Sequence, residues 1–385
     1  MTKLFIGLFL LICLAPLGES IFTPALPIMG DYFSIPSGDV QLTISVYLIL
    51  FALGALFWGF IADQFSFEGA IYSGLSIFLI GTVVAIFSSS FDLLLLARAL
   101  QGFGVSVGPV MVRAIVMRDY TVNANKLFAF LVGSNSLMPA VGPFIGGYIT
   151  EYTNWRYTFI FLFLLTSIIL FLLNKLLPSN KENKKKNFVN TIKAWPTILS
   201  NKKFICYSFI TSILIGIIFS YSIEAPYIFI NIFRLSESQF GLYTCLVILG
   251  GIIGAMLGVK LNKYFTPSVL VTVGLALISL TALLMCTIKS ATINGLWIIL
   301  LPSSILMLLI NIVRPKVAKL ALSIFPENYA TSSALLSFFQ MGIAGIITII
   351  MHKLHSNSLL PFPVLALSTS LIALSIYLFV SLFGE

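Results

Sequence analysis

Charged residues are scarce in this sequence. Asp, Glu, Lys and Arg make up 9% of its 385 residues, whereas about 25% is usual for soluble domains. Hydrophobic residues account for 59%, so the chain cannot cover a surface that faces water. This imbalance excludes a soluble enzyme and a disordered chain. A bilayer crossing takes about 20 apolar residues, and the length therefore allows roughly twelve crossings.

Cysteine and histidine are also scarce, with four and two residues respectively. The cysteines stand alone in apolar stretches, without the spacing of disulfide or metal-binding pairs, which predicts a packing role. His352 and His355 lie together in one short loop. No Ser/His/Asp set and no phosphate-binding Gly-x-x-x-x-Gly-Lys loop accompanies them. We therefore predict neither an enzyme nor an ATP-driven pump, and neither a metal nor another cofactor.

The apolar residues fall into twelve segments. None shows the short-range alternation of a membrane β-barrel, and helices satisfy every backbone group within lipid, so we predict twelve helical spans. The first segment resembles a signal peptide but continues past Glu19 without a clear cleavage site, so we expect it to stay. The spans are predicted at 4–27, 41–62, 70–89, 92–116, 126–149, 157–177, 204–230, 239–259, 268–288, 294–313, 329–351 and 359–382.

The net charge of +9 follows the loops. Most basic residues lie in loops on the side of the N-terminus, which predicts a multi-pass membrane protein with both termini cytoplasmic. Because these residues lie between spans and not on a folded face with base-reading aromatics, no nucleic-acid partner is predicted. We expect the chain to lie in the lipid bilayer and to act as a monomer. The outer loops hold only Arg156, Arg234, Lys289 and Lys353.

A polar, Lys-rich stretch at 178–203 divides the spans six and six. It predicts a solvated cytoplasmic linker between an N-terminal bundle at 1–177 and a C-terminal bundle at 204–385, able to touch anionic lipid head groups. The two halves share a sequence feature at matching positions. Glu19 precedes two prolines late in the first span, and Glu224 precedes Pro226 late in the seventh. Internal symmetry with Pro-interrupted spans is typical of secondary transporters, which bind substrate between their repeats.

Four stretches resemble signatures of the major facilitator superfamily, and most closely its Bcr/CflA branch of drug:proton antiporters. The resemblance implies an all-α fold of twelve transmembrane helices in two pseudo-symmetric six-helix bundles. It also implies proton-coupled antiport that exports hydrophobic or amphipathic small molecules by alternating access. The stretches are Thr23–Pro27, Arg98–Gly104 with Arg113–Val116, Gly142–Gly147 with Asn154–Arg156, and Tyr221–Phe229 with Leu235–Gly241.

Other functions stay open. A dedicated metabolite or siderophore exporter of the same fold is the first alternative, and a proton symporter is a more distant one. A non-transporting membrane sensor or scaffold would gain nothing from the cost of charges buried in the fourth span. An integral-membrane enzyme lacks candidate catalytic groups.

The loop after the second span departs from the superfamily pattern. Gly59 and Asp63 are present, but Gln64 and Glu68 stand where the pattern has arginine. We predict that Asp63 pairs with Arg118 at the end of the fourth span as a cytoplasmic gate. The alternative is a solvated loop aspartate.

Ionisable side chains at membrane depth mark a pathway or a coupling site by default. Glu19, Arg98 and Glu224 are therefore predicted to couple protons, with Glu19 exchanging a proton or a cationic substrate and Arg98 tuning it. The alternatives are a structural acid, a structural arginine and a merely hydrated Glu224. The branch often carries its first-helix acid one residue later, where this sequence has Ser20.

Two further sets of residues complete the predicted site. The first would line a substrate cavity, with core or lipid-facing positions as the alternative; it comprises Gln101, Arg113, Tyr47, Tyr221 and Phe229. The second would form a hinge and seal where helices approach closely, with plain packing as the alternative. It comprises Gly142, Pro143, Gly146 and Gly147.

Overall fold

The computed structural model describes residues 2–36, 38–64, 67–119, 137–176, 195–288, 296–327, 329–356 and 358–383. All regular structure in these ranges is helical. The main helices, numbered in chain order, are α1 Thr2–Ser20, α2 Leu26–Phe33, α3 Leu42–Gln64, α4 Phe67–Ile86, α5 Phe91–Val105, α6 Val107–Asp119, α7 Met138–Tyr152, α8 Arg156–Leu176, α9 Lys202–Pro226, α10 Glu237–Leu261, α11 Pro267–Cys286, α12 Leu296–Ser323, α13 Tyr329–Leu354 and α14 Pro361–Phe383.

The described helices form twelve runs that alternate in direction. Eleven of the runs within the described ranges are long and apolar enough to cross a membrane. The fifth predicted span, 126–149, is described only from residue 137 onwards, as α7. The prediction of an all-α membrane protein is confirmed. We call the end of the bundle that holds the first residues of α1 the near end, and the opposite end the far end.

Several spans are interrupted where the sequence predicted one helix. A 3₁₀ turn at Thr23–Ala25 separates α1 from α2, and proline stands at the start of both the turn and α2. The fourth span breaks at Ser106 into α5 and α6. A π-helical turn at Tyr227–Ile232 follows α9. The predicted number of spans therefore agrees with the twelve helical runs, whereas several of the predicted span boundaries do not agree with the structure.

The tenth span is longer than predicted. It was expected to end at residue 313, yet α12 runs to Ser323 and contains Pro302 and Pro315. Lys316 was assigned to a loop but is only 7% exposed, and its Nζ donates to the carbonyl of Gly258 at 3.0 Å. A backbone acceptor on α10 thus satisfies an ammonium group inside the helix bundle.

The two halves share a backbone detail that supports their symmetry. Ser34 follows α2 with φ 53°, and Arg234 follows the π-helical turn with φ 57°. Left-handed backbone is uncommon for residues other than glycine. Its occurrence at the same place in the first run of each half fits an internal repeat.

Large apolar side chains cover the outside of the helix bundle. Phe87, Phe379 and Leu382 are 76%, 64% and 72% exposed. A water-soluble surface does not carry so many exposed apolar groups, whereas a lipid-facing one does. The first six runs meet the last six mainly where α3 packs on α13 and where α7 packs on α10.

The end of the predicted linker has one buried side chain. Residues 195–199 form a short helix, and Ile198 is fully buried in a small cluster with Phe204, Leu335 and Leu336. Its neighbours Pro196, Thr197 and Leu199 are exposed, so the solvated linker stays a prediction. Residues 178–194 lie outside the described ranges.

Candidate functional site

Arg98 is the centre of a polar site inside the first half. It stands on α5 and is fully buried. Its Nη1 donates to the carbonyl of Gly18 at 3.1 Å and to Oε1 of Gln101 at 2.6 Å. Its Nε donates to the carbonyl of Thr43 at 3.4 Å. Three helical runs thus fix the direction of one guanidinium group.

Two aromatic rings enclose the same guanidinium. Its central carbon lies 4.3 Å from the ring centroid of Phe22 and 4.3 Å from that of Tyr47. The hydroxyl of Tyr47 donates to the carbonyl of Ala15 at 2.7 Å, which holds its ring in place. A desolvated cation gains from the negative faces of such rings. The structure thus places the ring of Tyr47 against Arg98, and its role in lining a cavity stays a prediction.

Glu19 lies beside this cation without being paired to it. The glutamate is 4% exposed, and its charge and that of Arg98 are close enough to interact. Within the described residues, however, no ion pair joins them inside 4 Å, and Oε1 of Glu19 and Nη2 of Arg98 have no hydrogen-bond partner. Burying an unpaired carboxylate is costly, whereas the protonated acid avoids most of that cost.

Ser20 points elsewhere. Its hydroxyl donates to the carbonyl of Pro16 at 2.7 Å, and a Cβ atom placed on Gly142 of α7 would overlap its Oγ. The branch's usual acid position therefore faces α7, while the acid of this chain is one residue earlier. One residue turns a helical side chain by about 100°, which accounts for the different neighbours.

Gln101 extends the polar site to α4. It accepts from Arg98, and its Nε2 donates to Oγ1 of Thr82 at 2.9 Å. Thr82 in turn donates to the carbonyl of Phe78 at 2.7 Å. Gln101 is fully buried, and both of its hydrogen-bond partners, Arg98 and Thr82, are protein side chains.

The other predicted cavity residues lie in two different places. Arg113 of α6 donates a hydrogen bond to Oγ of Ser333 on α13, and so bridges the halves towards the near end. Tyr221 and Phe229 line one small pocket within the second half, together with Phe362 and others. The hydroxyl of Tyr221 is buried and has no hydrogen-bond partner among the described residues. The predicted set is therefore not brought together around one cavity.

The predicted hinge residues of α7 face two neighbours. A Cβ atom on Gly146 would overlap the carbonyl oxygen of Ile21, next to α1. On Gly147 it would overlap the carbonyl of Glu237, at the start of α10 in the other half. A Cβ atom on Gly241 of α10 would likewise overlap the carbonyl oxygen of Pro143. Glycine is required at these contacts because backbone atoms occupy the space of a side chain.

Glu224 is part of a far-end cluster that sequence reasoning missed. It is 1% exposed, so the alternative of a merely hydrated group was wrong. Nδ1 of His355 lies 2.9 Å from its Oε2, and Nε2 of Gln41 donates to the same oxygen at 2.7 Å. The predicted topology puts all three residues at one end of the bundle, but it does not predict that they meet.

The predicted gate pair cannot be described. Asp63 and Arg118 stand in the last turns of α3 and α6, but their side chains lie outside the described part of the structure.

Comparisons with known proteins agree with this architecture. An "Uncharacterized transporter" of Rickettsia bellii (strain RML369-C) is 30% identical over 373 residues, covering 94% of this chain and 92% of the relative. The "Multidrug resistance protein D" of Escherichia coli (strain K12) is 26% identical over 347 residues, covering 90% and 87%. The solved xylose transporter XylE from E. coli, in a partially occluded inward-open conformation, superposes with a TM-score of 0.75 at 13% identity, covering 100% and 98%.

The multidrug relative is consistent with the Bcr/CflA branch that the motifs resemble. A profile of the Major Facilitator Superfamily matches residues 8–349, which is most of the sequence. The all-α fold, the buried charges of the first half and this match lead to one conclusion: the chain is a transporter of the Major Facilitator Superfamily.

Proposed function

We propose that this chain exports hydrophobic or amphipathic small molecules from bacteria in exchange for protons. It would do so by alternating access, as a monomer in the inner membrane with both termini cytoplasmic. Residues 1–177 and 204–385 would act as the two bundles, joined by the linker at 178–203. The multidrug resistance relative supports the substrate class. The observation that carries the proposal is the unpaired Glu19 beside Arg98.

Glu19 would carry the proton. With a proton bound, the acid is neutral and tolerates its buried, unpaired position. After the proton leaves, the carboxylate is attracted to Nη2 of Arg98, which has no other partner among the described residues. Arg98 keeps its charge at all relevant pH values, so it tunes Glu19 and does not carry the proton itself. A cationic substrate could take the place of the proton at the same acid.

The second half would contribute to substrate binding. Tyr221 and Phe229 present aromatic surface to a pocket that also holds Met285 and Phe362. Apolar pockets with one or two polar groups are typical of sites for small organic molecules. The glycine stripe of α7 would act as the hinge and seal between the halves, and Asp63 with Arg118 as the near-end gate.

Proton release from energised inverted membrane vesicles tests the proposal. A pH-quenched dye reports the gradient while a panel of drugs and metabolites is added to vesicles that contain the wild-type chain, Glu19→Gln or Arg98→Ala. Glu327→Gln is the matched control, because Glu327 is an exposed acid at the near end. We expect a compound that collapses the gradient with the wild type and with Glu327→Gln, but not with Glu19→Gln or Arg98→Ala.

Two results would contradict this mechanism. An equal response of the wild type and Glu19→Gln would show that Glu19 does not carry the proton. Glu224 would then be the next residue to test. A broad panel without any response would reject multidrug export in favour of a dedicated metabolite exporter or a symporter.

A further inference from the structure

The far-end cluster joins the two halves through buried polar groups. Glu224 and His355 belong to the second half, with side chains 1% and 6% exposed. Gln41 belongs to the first half and donates to both Oε2 of Glu224, at 2.7 Å, and the carbonyl of Ile223, at 3.4 Å. The far end is therefore closed where this cluster lies.

The histidine is held on both sides. Its Nδ1 lies 2.9 and 3.1 Å from the two carboxylate oxygens of Glu224, and its ring centroid is 4.7 Å from that of Tyr227. A Cβ atom on Gly38 of the first half would lie 3.1 Å from the ring. The imidazole thus packs directly against the opposite half.

Titratable groups of both signs surround the pair. Asp39 lies 3.6 Å from Nε2 of His352, one turn before His355, and Asp31 and Asp39 both act electrostatically on Tyr227. Tyr227 contacts His355, Asp31 and Asp39 of the first half act on Tyr227, and His352 and the exposed Lys353 stand just before His355. An imidazolium balances Glu224 in these surroundings, whereas a neutral ring leaves a buried carboxylate without a counter-charge.

We propose that His355 and Glu224 form a proton-binding site that closes the far end while His355 is protonated. Nδ1 keeps its hydrogen towards Glu224, and the exchangeable proton leaves Nε2 for water. The remaining carboxylate charge then favours opening, because water hydrates Glu224 once the halves separate. Histidine is the side chain that ordinarily changes charge between about pH 5 and 8. The inference rests on the proposed alternating-access function.

Distance measurement between spin labels tests this site directly. Asp92 and Thr287 are exposed residues at the far end, one in each half, and each is replaced by cysteine for labelling. The full-length chain is purified into lipid nanodiscs after its four native cysteines are replaced by alanine or serine. We expect one short distance at pH 5.5 and a transfer of at least half of that population to a longer distance at pH 8.5.

Variants identify the group responsible. His355→Asn and Glu224→Gln should each abolish the pH response. His355→Lys keeps a positive charge and should hold the short distance at pH 8.5. Lys353→Gln is the control and should respond as the wild type does, because Lys353 is an exposed charged residue two positions before His355. His352 does not serve as a control, because it also contacts the first half, through the carbonyl of Gly38 at 2.9 Å and Asp39 at 3.6 Å.

The site is rejected if the wild type shows no pH response, if His355→Asn keeps it, or if Lys353→Gln loses it. The labels report far-end opening without any substrate. A normal distance response with no drug-dependent proton release would therefore reject drug:proton antiport and keep the site. Proton release with pH-independent distances would reject the site alone.

Discussion

Gln101 accepts a hydrogen bond at 2.6 Å from Nη1 of Arg98, one helical turn before it on α5. Its Nε2 in turn donates a hydrogen bond to Oγ1 of Thr82 on α4 at 2.9 Å. This buried chain of donors and acceptors sets the position of the guanidinium beside Glu19. Buried networks of this kind stabilise only while every member has its partner.

We expect Gln101→Leu to destabilise the protein by about 1–3 kcal/mol, because a buried charged donor loses an acceptor. The change keeps the side-chain size, so packing alone does not account for a loss. Thermal unfolding of the purified protein in detergent measures it. Thr82→Val is the matched control, since it removes only the hydroxyl that accepts from Gln101 and leaves the contact between Gln101 and Arg98 in place. Equal stability of Gln101→Leu and wild type would show that Arg98 does not depend on this acceptor.

The glycine stripe of α7 supplies a second prediction. Gly146→Ala places a methyl group on the carbonyl oxygen of Ile21, and backbone cannot yield as a flexible side chain does. We expect a loss of about 1–3 kcal/mol in stability and a corresponding loss of transport.

Gly59→Ala is its control. Gly59 lies in α3, and a Cβ atom there would meet nothing within 4 Å. Because alanine is favoured over glycine in helices by about 1 kcal/mol, this variant should be neutral or slightly more stable. Thermal unfolding in detergent compares the two. If Gly146→Ala were as stable as Gly59→Ala, close approach of α1 and α7 would not explain the stripe.

Much of the fold could be predicted because lipid leaves few choices. A run of apolar residues in a bilayer has to be a helix, so composition and run length predict the spans. The spacing of Arg98 and Gln101 indicates a shared helix face, which the structure confirms. The small residues of α7 likewise indicated a close contact, although not its two different partners.

The far-end cluster could not be predicted in the same way. Gln41 and His355 are 314 residues apart, and their contact depends on how the two halves dock and rotate. Hydrophobic patterns carry little information on rotation when helices are apolar all round. The break at Ser106 was also missed, although Pro109 in the first turn of α6 was a signal for it, because proline has no N–H to bond to the carbonyl four residues earlier.

A third prediction concerns the pH dependence of a far-end contact. Glu151 stands beyond the predicted fifth span and accepts a hydrogen bond at 2.9 Å from the backbone N–H of Ser238, at the start of α10. Hydrogen bonds from the side chain and backbone of Ser238 hold the pKa of Glu151 below its ordinary value of 4.5. A lowered pKa means that the contact contributes fully above pH 4.5 and is lost as the pH falls through the lowered value.

The difference in stability between the wild type and Glu151→Gln should therefore be constant above about pH 5 and should shrink as the pH falls further below 4.5. It should stay below about 1 kcal/mol, because the group is exposed and water screens its charge. Unfolding midpoints across this pH range measure it, with Glu327→Gln as an exposed acid without this contact. A difference that grows as the pH falls would contradict the assignment.

The pocket of the second half gives the last prediction. Tyr221 packs its ring against Phe362 at 5.6 Å between centroids, and its buried hydroxyl has no hydrogen-bond partner among the described residues. Tyr221→Phe removes only that hydroxyl, so stability should change by less than about 0.5 kcal/mol or rise. Compounds that carry a hydroxyl or amide should need about fivefold to tenfold higher concentration for half-maximal proton release, because they lose one hydrogen bond. Compounds without such groups should be unaffected. Tyr207→Phe, on the same helix but outside the pocket, should change neither class. An equal shift for both classes of compound would mean that Tyr221 shapes the pocket without hydrogen bonding to what it binds.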